Sequence, residues 1–421
     1  MIFMVQHRVT LIIDQLQKYT NTDIRNIIRG SFWVGAGNAA QILVGILTTV
    51  ALANLLDKES LGTYQYILAV AGVLSIFTLT GLGTAITRGV AMGHEGLLQS
   101  SVRLKLKWSV GIVLASAVVA SYYLYNENLE LGLAFLIVGA FAPFIESFKL
   151  YENYLHGKES FKDTLLLGAW RKPLPLIAIV TTAWLYPEPL TLIAAYFISN
   201  TVSLALVYLS VIKKYKPQSK SHDETVWYSK HLSIMRGVSI AASHADKLFL
   251  WHLIGPVAVA SFTIAQLATR YSGVFLSTLT AVSLPRFSKR TLIELQNTLP
   301  KKVALLTILM ILAAFVYVAI APFLFSIAFP TYMESVTFSQ VLALGFLFIP
   351  RSLYGQALTA HVQTKEQYTL TIVNPILQIG LLALLIPKYG IWGAVYAQLG
   401  AGLIATILAY MLFKRAVLST N

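Results

Sequence analysis

The chain contains no cysteine, which excludes disulfides, thiolate metal sites and cysteine nucleophiles without identifying a compartment. Charge is scarce as well: 12% of its 421 residues are charged, 18 of them acidic against 32 basic. No Walker lysine loop and no HExxH occurs. His244 and His252 lie eight residues apart and read as polar lining of a cavity in preference to a metal site. No metal, no cofactor and no catalytic residue is therefore expected.

What the chain has in abundance is apolar sequence, 56% of all residues, with a mean hydropathy of +0.68. Such values fall outside the range of soluble domains. Apolar runs of about 20 residues, the length that crosses a ~30 Å hydrocarbon core, recur almost to the C-terminus. About twelve are expected, over residues 30–54, 62–87, 106–125, 131–151, 164–185, 189–212, 232–254, 257–283, 303–327, 336–360, 368–387 and 390–413. The fold class is thus an all-α polytopic membrane protein. The stretch "KKYKPQSKSHDETVWYSKH", residues 213–231, reads as a cytoplasmic linker between an N-lobe at 30–212 and a C-lobe at 232–413. Residues 1–29 read as an amphipathic interfacial segment in preference to a cleaved signal peptide, and 414–421 as a cytoplasmic tail.

The formal charge of +14 raises nucleic acid as a partner, but its distribution argues for topology instead. On alternate loops one side holds Arg25, Arg29, Arg88, Arg103, Lys105, Lys107, Lys149, Lys158, the linker lysines, Arg286, Arg290, Lys301, Lys365 and Arg415. The other side holds only Lys58 and Lys388. By the positive-inside rule both termini are expected in the cytoplasm, with no nucleic-acid partner.

A shift of 198 residues lays "GTYQYILAVAG" from Gly62 over "ASFTIAQLATR" from Ala260, and Arg88 over Arg286. A shift of 207 lays "KESF" from Lys158 over "KEQY" from Lys365. Chance likeness between apolar helices is the competing reading, and the loop correspondences are the better evidence for a repeat. Two six-helix halves of the same orientation are then related by an axis along the membrane normal, with a cavity between them.

Six cations fall inside the expected spans: Arg171, Lys172, Arg236, Lys247, Arg270 and Arg351. The clear acids there are Glu146 and Asp246. A charge at the bilayer centre costs ~2.5–3.5 kcal/mol even on the lenient insertion scale, so these residues should face protein or water. Arg236 is near enough to a helix end to snorkel, and Arg171 with Lys172 can partly do so. Pairing leaves about four cations unmatched, which calls for an anion. Arg236 and Lys247, eleven residues apart, project from one helix face. Asp246 points elsewhere, to bridge Arg270 or to bind a coupling cation. Arginine suits phosphate because its planar fork donates two parallel hydrogen bonds and stays charged when desolvated.

"GLGTAITRG" from Gly81 ends a membrane helix, and its small residues read as close packing in place of a phosphate loop. Pro143, Pro173, Pro175, Pro285 and Pro350 are expected to kink helices. The loops "YNENLE", "YPEPL" and "IGP" are too short to house a catalytic domain, which disfavours an enzyme of lipid-linked sugar metabolism.

With "SFWVGAGNAAQILVGILTTVALANLLDKESLGTYQYILAVAG", "GLGTAITR", "DKLFLWHLIGPVAVASFTIAQLATR" and "YGIWGAVYAQLGAGLIATILAY", the chain resembles the Wzx-type polysaccharide (O-antigen) flippases of the multidrug/oligosaccharidyl-lipid/polysaccharide (MOP) exporter superfamily. The resemblance implies two six-helix lobes in a V, alternating access, and a bacterial inner-membrane location. It implies transfer of an undecaprenyl-diphosphate-linked oligosaccharide between leaflets, with membrane lipids and a polysaccharide polymerase machinery as partners and a monomer as the functional unit. Matched by character and depth, the diphosphate site falls to Arg171, Lys172, Arg236, Lys247, Arg270 and Arg351, with Arg29 and Arg88 at the mouth, and Asp246 and Glu146 take ion coupling or pairing. A cation-coupled multidrug exporter of the same superfamily is the rival reading, and it would favour buried acids over the cationic surplus found.

Overall fold

A computed structural model describes residues 24–217, 224–272, 287, 290–361 and 363–418, with side chains from residue 35 onward and, past residue 223, at Ser233 and from Arg236. The described residues are almost entirely helical and include no strand. Within hydrocarbon this is required, because only a helix satisfies its own backbone N–H and C=O groups.

In the first half the helices are α1 (Ile24–Leu55), α2 (Lys58–Leu74), α3 (Leu82–Ala91), α4 (Leu97–Trp108), α5 (Val110–Tyr125), α6 (Leu129–Phe148), α7 (Leu150–Gly157), α8 (Phe161–Arg171), α9 (Pro173–Leu185) and α10 (Pro189–Tyr215). In the second half they are α11 (Glu224–Leu253), α12 (Pro256–Ala265), α13 (Leu292–Ala328), α14 (Ser335–Leu342), α15 (Ser352–Ala360), α16 (Thr364–Tyr389) and α17 (Ile391–Leu418). A 3-10 stretch, Ala343–Arg351, joins α14 to α15 and contains Pro350. Proline has no N–H to donate, so a tighter turn at this point is the physical outcome of that residue.

Nine helical stretches among the described residues are long and apolar enough to span a bilayer. The other three expected spans are helical but depart from the simple pattern. The fifth is broken at Lys172 into α8 and α9. The seventh, α11, is long enough but is interrupted by Arg236, Asp246 and Lys247. The eighth contributes the short α12, and its later part lies outside the described residues together with Arg286 and Pro285. These three spans carry five of the six intramembrane cations expected to mark a site, and those charges lower the hydropathy.

The expected 213–231 linker is narrower than its sequence suggests, because α10 runs on to Tyr215 and α11 begins at Glu224. Residues 1–23 of the expected amphipathic segment lie outside the described residues, and Ile24 already begins α1.

Several helix pairs approach closely at glycines, as Gly62 does to Pro256, Gly157 to Thr87 and Val90, and Gly402 to Phe348, which suits association where lipid removes the hydrophobic drive. Buried side chains form a large cluster in the first half, including Ile67, Leu82, Ile86, Phe135, Tyr151 and Tyr154, which Ala260, Ile264, Phe325 and Tyr332 of the second half also join. Two further clusters lie wholly in the second half, one around Leu250, Phe262 and Val395, the other around Leu299, Ala357 and Phe413. Leu305, Ile308, Leu312, Phe315 and Phe323 of α13 are exposed, as suits a face against lipid.

Candidate functional site

Two prolines shape the first part of the site. Pro173 opens α9 and Pro175 lies two residues on, so the carbonyl of Arg171, four positions before Pro175, loses its intrahelical donor. Ser203 of α10 replaces that donor, its Oγ 2.6 Å from the Arg171 oxygen. The break holds Arg171 and Lys172 at a junction packed against α10. Arg171 is 8% exposed, and its Nη1 donates to Glu152 Oε1 at 2.7 Å. The Tyr151 hydroxyl donates to the same oxygen at 3.3 Å. Lys172 has no hydrogen bond or ion pair to an acid among the described residues, although Glu152, Arg171 and Lys149 are within electrostatic reach.

Glu146 serves none of the six cations singled out from sequence. Its carboxylate is shared by Lys105, at 3.1 Å, and Lys149, at 3.4 Å. The acid that does pair is Glu152, which sequence reasoning missed because it lies just beyond the expected end of the fourth span.

The second part of the site is on α11 and its neighbours. Lys247 is 8% exposed, and its Nζ meets no acceptor among the described residues. Asp246, 5% exposed, does not bridge Arg270 as one sequence reading expected. Its Oδ1 instead accepts from the Lys247 backbone N–H at 2.8 Å and its Oδ2 from Gln266 Nε2 at 3.1 Å. Gln266 also donates to Gln398 Oε1 at 3.0 Å. A neutral amide network therefore occupies the carboxylate. The exposed Arg270 has no acid partner among the described residues and lies within electrostatic reach of Lys247 and His244.

His244 lies against Gly72 of α2, where a methyl group would overlap its ring, and its buried Nδ1 has no partner among the described residues. His252 bonds through Nδ1 to the Leu248 carbonyl at 2.9 Å and meets Tyr66 edge-on. The two histidines thus pack against separate parts of α2, and no group of three metal-ligating side chains gathers among the described residues.

Arg236 reaches across to the first half, its Nη1 donating to Thr80 O at 3.2 Å and Nη2 to Thr84 Oγ1 at 3.0 Å. Close by, the Gly81 N–H donates to Ser233 Oγ at 2.9 Å, and Gly83 packs against Asn153. The "GLGT" residues thus serve close packing. Arg351 donates to the Gly402 carbonyl at 2.5 Å. Arg88 is exposed in the last turn of α3, and the side chain of Arg29 in α1 lies outside the described residues.

The structure therefore gathers Arg171, Lys172 and Lys149 with Glu152 in one group and Lys247, Arg270 and His244 with Asp246 in a second. Arg236 and Arg351 stand apart from both. Five of the six cations, all but Arg171, have no acid partner among the described residues.

The family model described as "Polysaccharide biosynthesis protein" matches residues 27–291, more than half of the chain. The chain belongs to that family. No curated protein sequence matches it significantly. Among solved structures it is similar to an inward-facing multidrug resistance MATE family transporter of the MOP superfamily, at 15% identity, covering 90% of this chain and 95% of that one with a TM-score of 0.72. An outward-facing MATE transporter matches at 16% identity, with 94% and 97% covered and a TM-score of 0.64. A MOP superfamily transporter from Pyrococcus furiosus matches at 16% identity, with 92% and 95% covered and a TM-score of 0.63. At such identities these likenesses establish the fold, that of the MATE/MOP transporters, in agreement with the superfamily resemblance of the sequence. Arg171, Lys172, Arg236, Lys247 and Arg270 fall inside the family match, and Arg351 lies beyond it.

Proposed function

We propose that the chain is a flippase that carries a polyprenyl-diphosphate-linked oligosaccharide, in bacteria the undecaprenyl form, across the inner membrane for surface polysaccharide assembly. The observation that supports this most directly is the cationic surplus: Lys172, Arg236, Lys247, Arg270 and Arg351 lack acid partners among the described residues, while Glu146 and Asp246 are taken up elsewhere. A buried unpaired cation is costly. Of these five only Lys247 is buried, with Lys172 and Arg351 half-buried and Arg236 and Arg270 exposed, and in this reading a mobile anion balances them; a diphosphate is the anion that a polysaccharide precursor carries.

In this reading the N-lobe (30–212) and C-lobe (232–413) rock about a site that faces each leaflet in turn. Both termini lie in the cytoplasm, where the basic loops also attract the anionic headgroup. The diphosphate is held by Lys247 and Arg270 from one lobe and Lys172 from the other, the sugars occupy the wet cavity, and the prenyl tail stays in lipid. The chain acts as a monomer and can hand its product to a polymerase machinery.

The Pyrococcus furiosus relative is described as having a binding pocket whose reversed polarity suggests a different function. In this reading the charge of the pocket selects the cargo, and the surplus here disfavours a multidrug exporter of cationic drugs. The test is thermal stabilisation of the purified protein by a short-chain prenyl diphosphate, against the matching prenyl alcohol. Stabilisation by the diphosphate alone supports the reading, and equal effects of both would refute it.

A further inference from the structure

The two halves of the chain are fastened at the end opposite the basic loops by contacts that join distant residues. Asn54 Nδ2, near the end of α1, donates to Ala328 O at 2.9 Å, and Thr331 Oγ1 lies 3.5 Å from Ala53 O. Lys58 Nζ meets Glu334 Oε1 at 2.5 Å, 276 positions away, and Ser261 Oγ of α12 donates to the same oxygen at 3.2 Å. Asp57 caps α2 by accepting from the Glu59 and Ser60 N–H groups at 3.1 and 3.3 Å. Lys58 is thereby fixed in the first turn, with its ammonium 5.4 Å from the centre of the buried Tyr332 ring.

One turn further along α2 is the tightest approach. A Cβ on Gly62 would overlap the carbonyl of Pro256, a backbone atom that cannot rotate away. Pro256 is pressed there by the turn at Gly255, whose φ of 122° favours glycine. Deeper still, Tyr66 stacks on Trp251 with ring centres 4.2 Å apart, and the Tyr66 and Tyr123 hydroxyls bond at 2.6 Å.

We infer that Lys58, Gly62, Ser261 and Glu334 form a latch that shuts the mouth opposite the basic loops. Opening there requires Gly62 to withdraw from Pro256 and Glu334 to release Lys58 and Ser261 together. The steric fit at Gly62 sets the closed distance, and the ion pair with its hydroxyl partner sets register. Any molecule that passes between the halves meets this latch, so the inference holds whichever cargo is carried. It also gives a role to Lys58, one of only two cations on its side of the sequence.

The absence of cysteine makes the test direct. Ala53→Cys with Thr331→Cys reports closure by oxidative cross-linking and leaves Lys58, Gly62, Ser261 and Glu334 in place, at the loss of the weak Thr331–Ala53 contact alone. In this background Gly62→Ala should slow cross-linking about fivefold, because the added methyl disfavours the closed state. Gly355→Ala, where a methyl meets open space, should leave it unchanged. Unaltered cross-linking in a monodisperse Gly62→Ala variant would overturn the latch. Should Gly62→Ala not fold, Glu334→Gln and the exchanged pair Lys58→Glu with Glu334→Lys decide. Slower cross-linking in the first, restored in the exchange, supports the latch, and equal rates in both overturn it.

Discussion

Arg171 and Glu152 form an ion pair of 2.7 Å in which the cation is almost fully buried and the acid partly exposed. Removing the acid leaves a charge that neither water nor protein compensates. Glu152→Gln should therefore destabilise the protein by about 2 kcal/mol, less than the 3–5 of a fully buried pair because Glu152 keeps some solvent. Thermal unfolding in detergent reads this, and an unchanged melting temperature would show that Arg171 already has another anion.

Lys247 has the opposite standing. It is as buried as Arg171 yet has no acceptor among the described residues, so its removal relieves a cost and breaks no described bond. Lys247→Met should melt at the same or a higher temperature than the parent. A fall comparable to that of Glu152→Gln would identify Lys247 as structural.

Ser203 occupies a place that Pro175 vacates. Ser203→Ala should cost about 1–2 kcal/mol, the loss of a buried carbonyl's partner. Adding Pro175→Ala, which restores an N–H to the Arg171 carbonyl, should recover part of that loss. Additive effects of the two changes in a double-mutant cycle would contradict the pairing.

Gly72 leaves room for the His244 ring. Gly72→Ala should lower the melting temperature, and Gly72→Ala with His244→Ala should recover most of it, since the second change removes the atoms the methyl meets. A double variant no better than Gly72→Ala alone would place the strain elsewhere.

The spans were legible because each needs a long apolar run, and that property is local. The tenth to twelfth appear within a few residues of where hydropathy sets them, as Pro189–Tyr215 does for the sixth. The membership in a polysaccharide family followed from residue patterns along the whole chain. The pairings were not legible. Glu146 pairs with Lys105 and Lys149, and it is Glu152, three positions beyond Lys149, that turns toward Arg171. Asp246 was expected to meet Arg270 or to bind a coupling cation, yet Gln266, whose side chain carries no charge signal, donates to it. Lys58 offered one usable clue, its rarity on a side otherwise almost free of cations, but its partner Glu334 is 276 positions away and only the fold joins them.

The most direct measurement is leaflet transfer of a short-chain prenyl-diphosphate oligosaccharide in proteoliposomes, comparing the parent with Lys247→Ala and Arg270→Ala. Transfer by the parent, and a loss of about tenfold or more in both variants while each keeps its melting temperature, is the expected result. Transfer that survives both changes would contradict the assignment of these unpaired cations to the diphosphate.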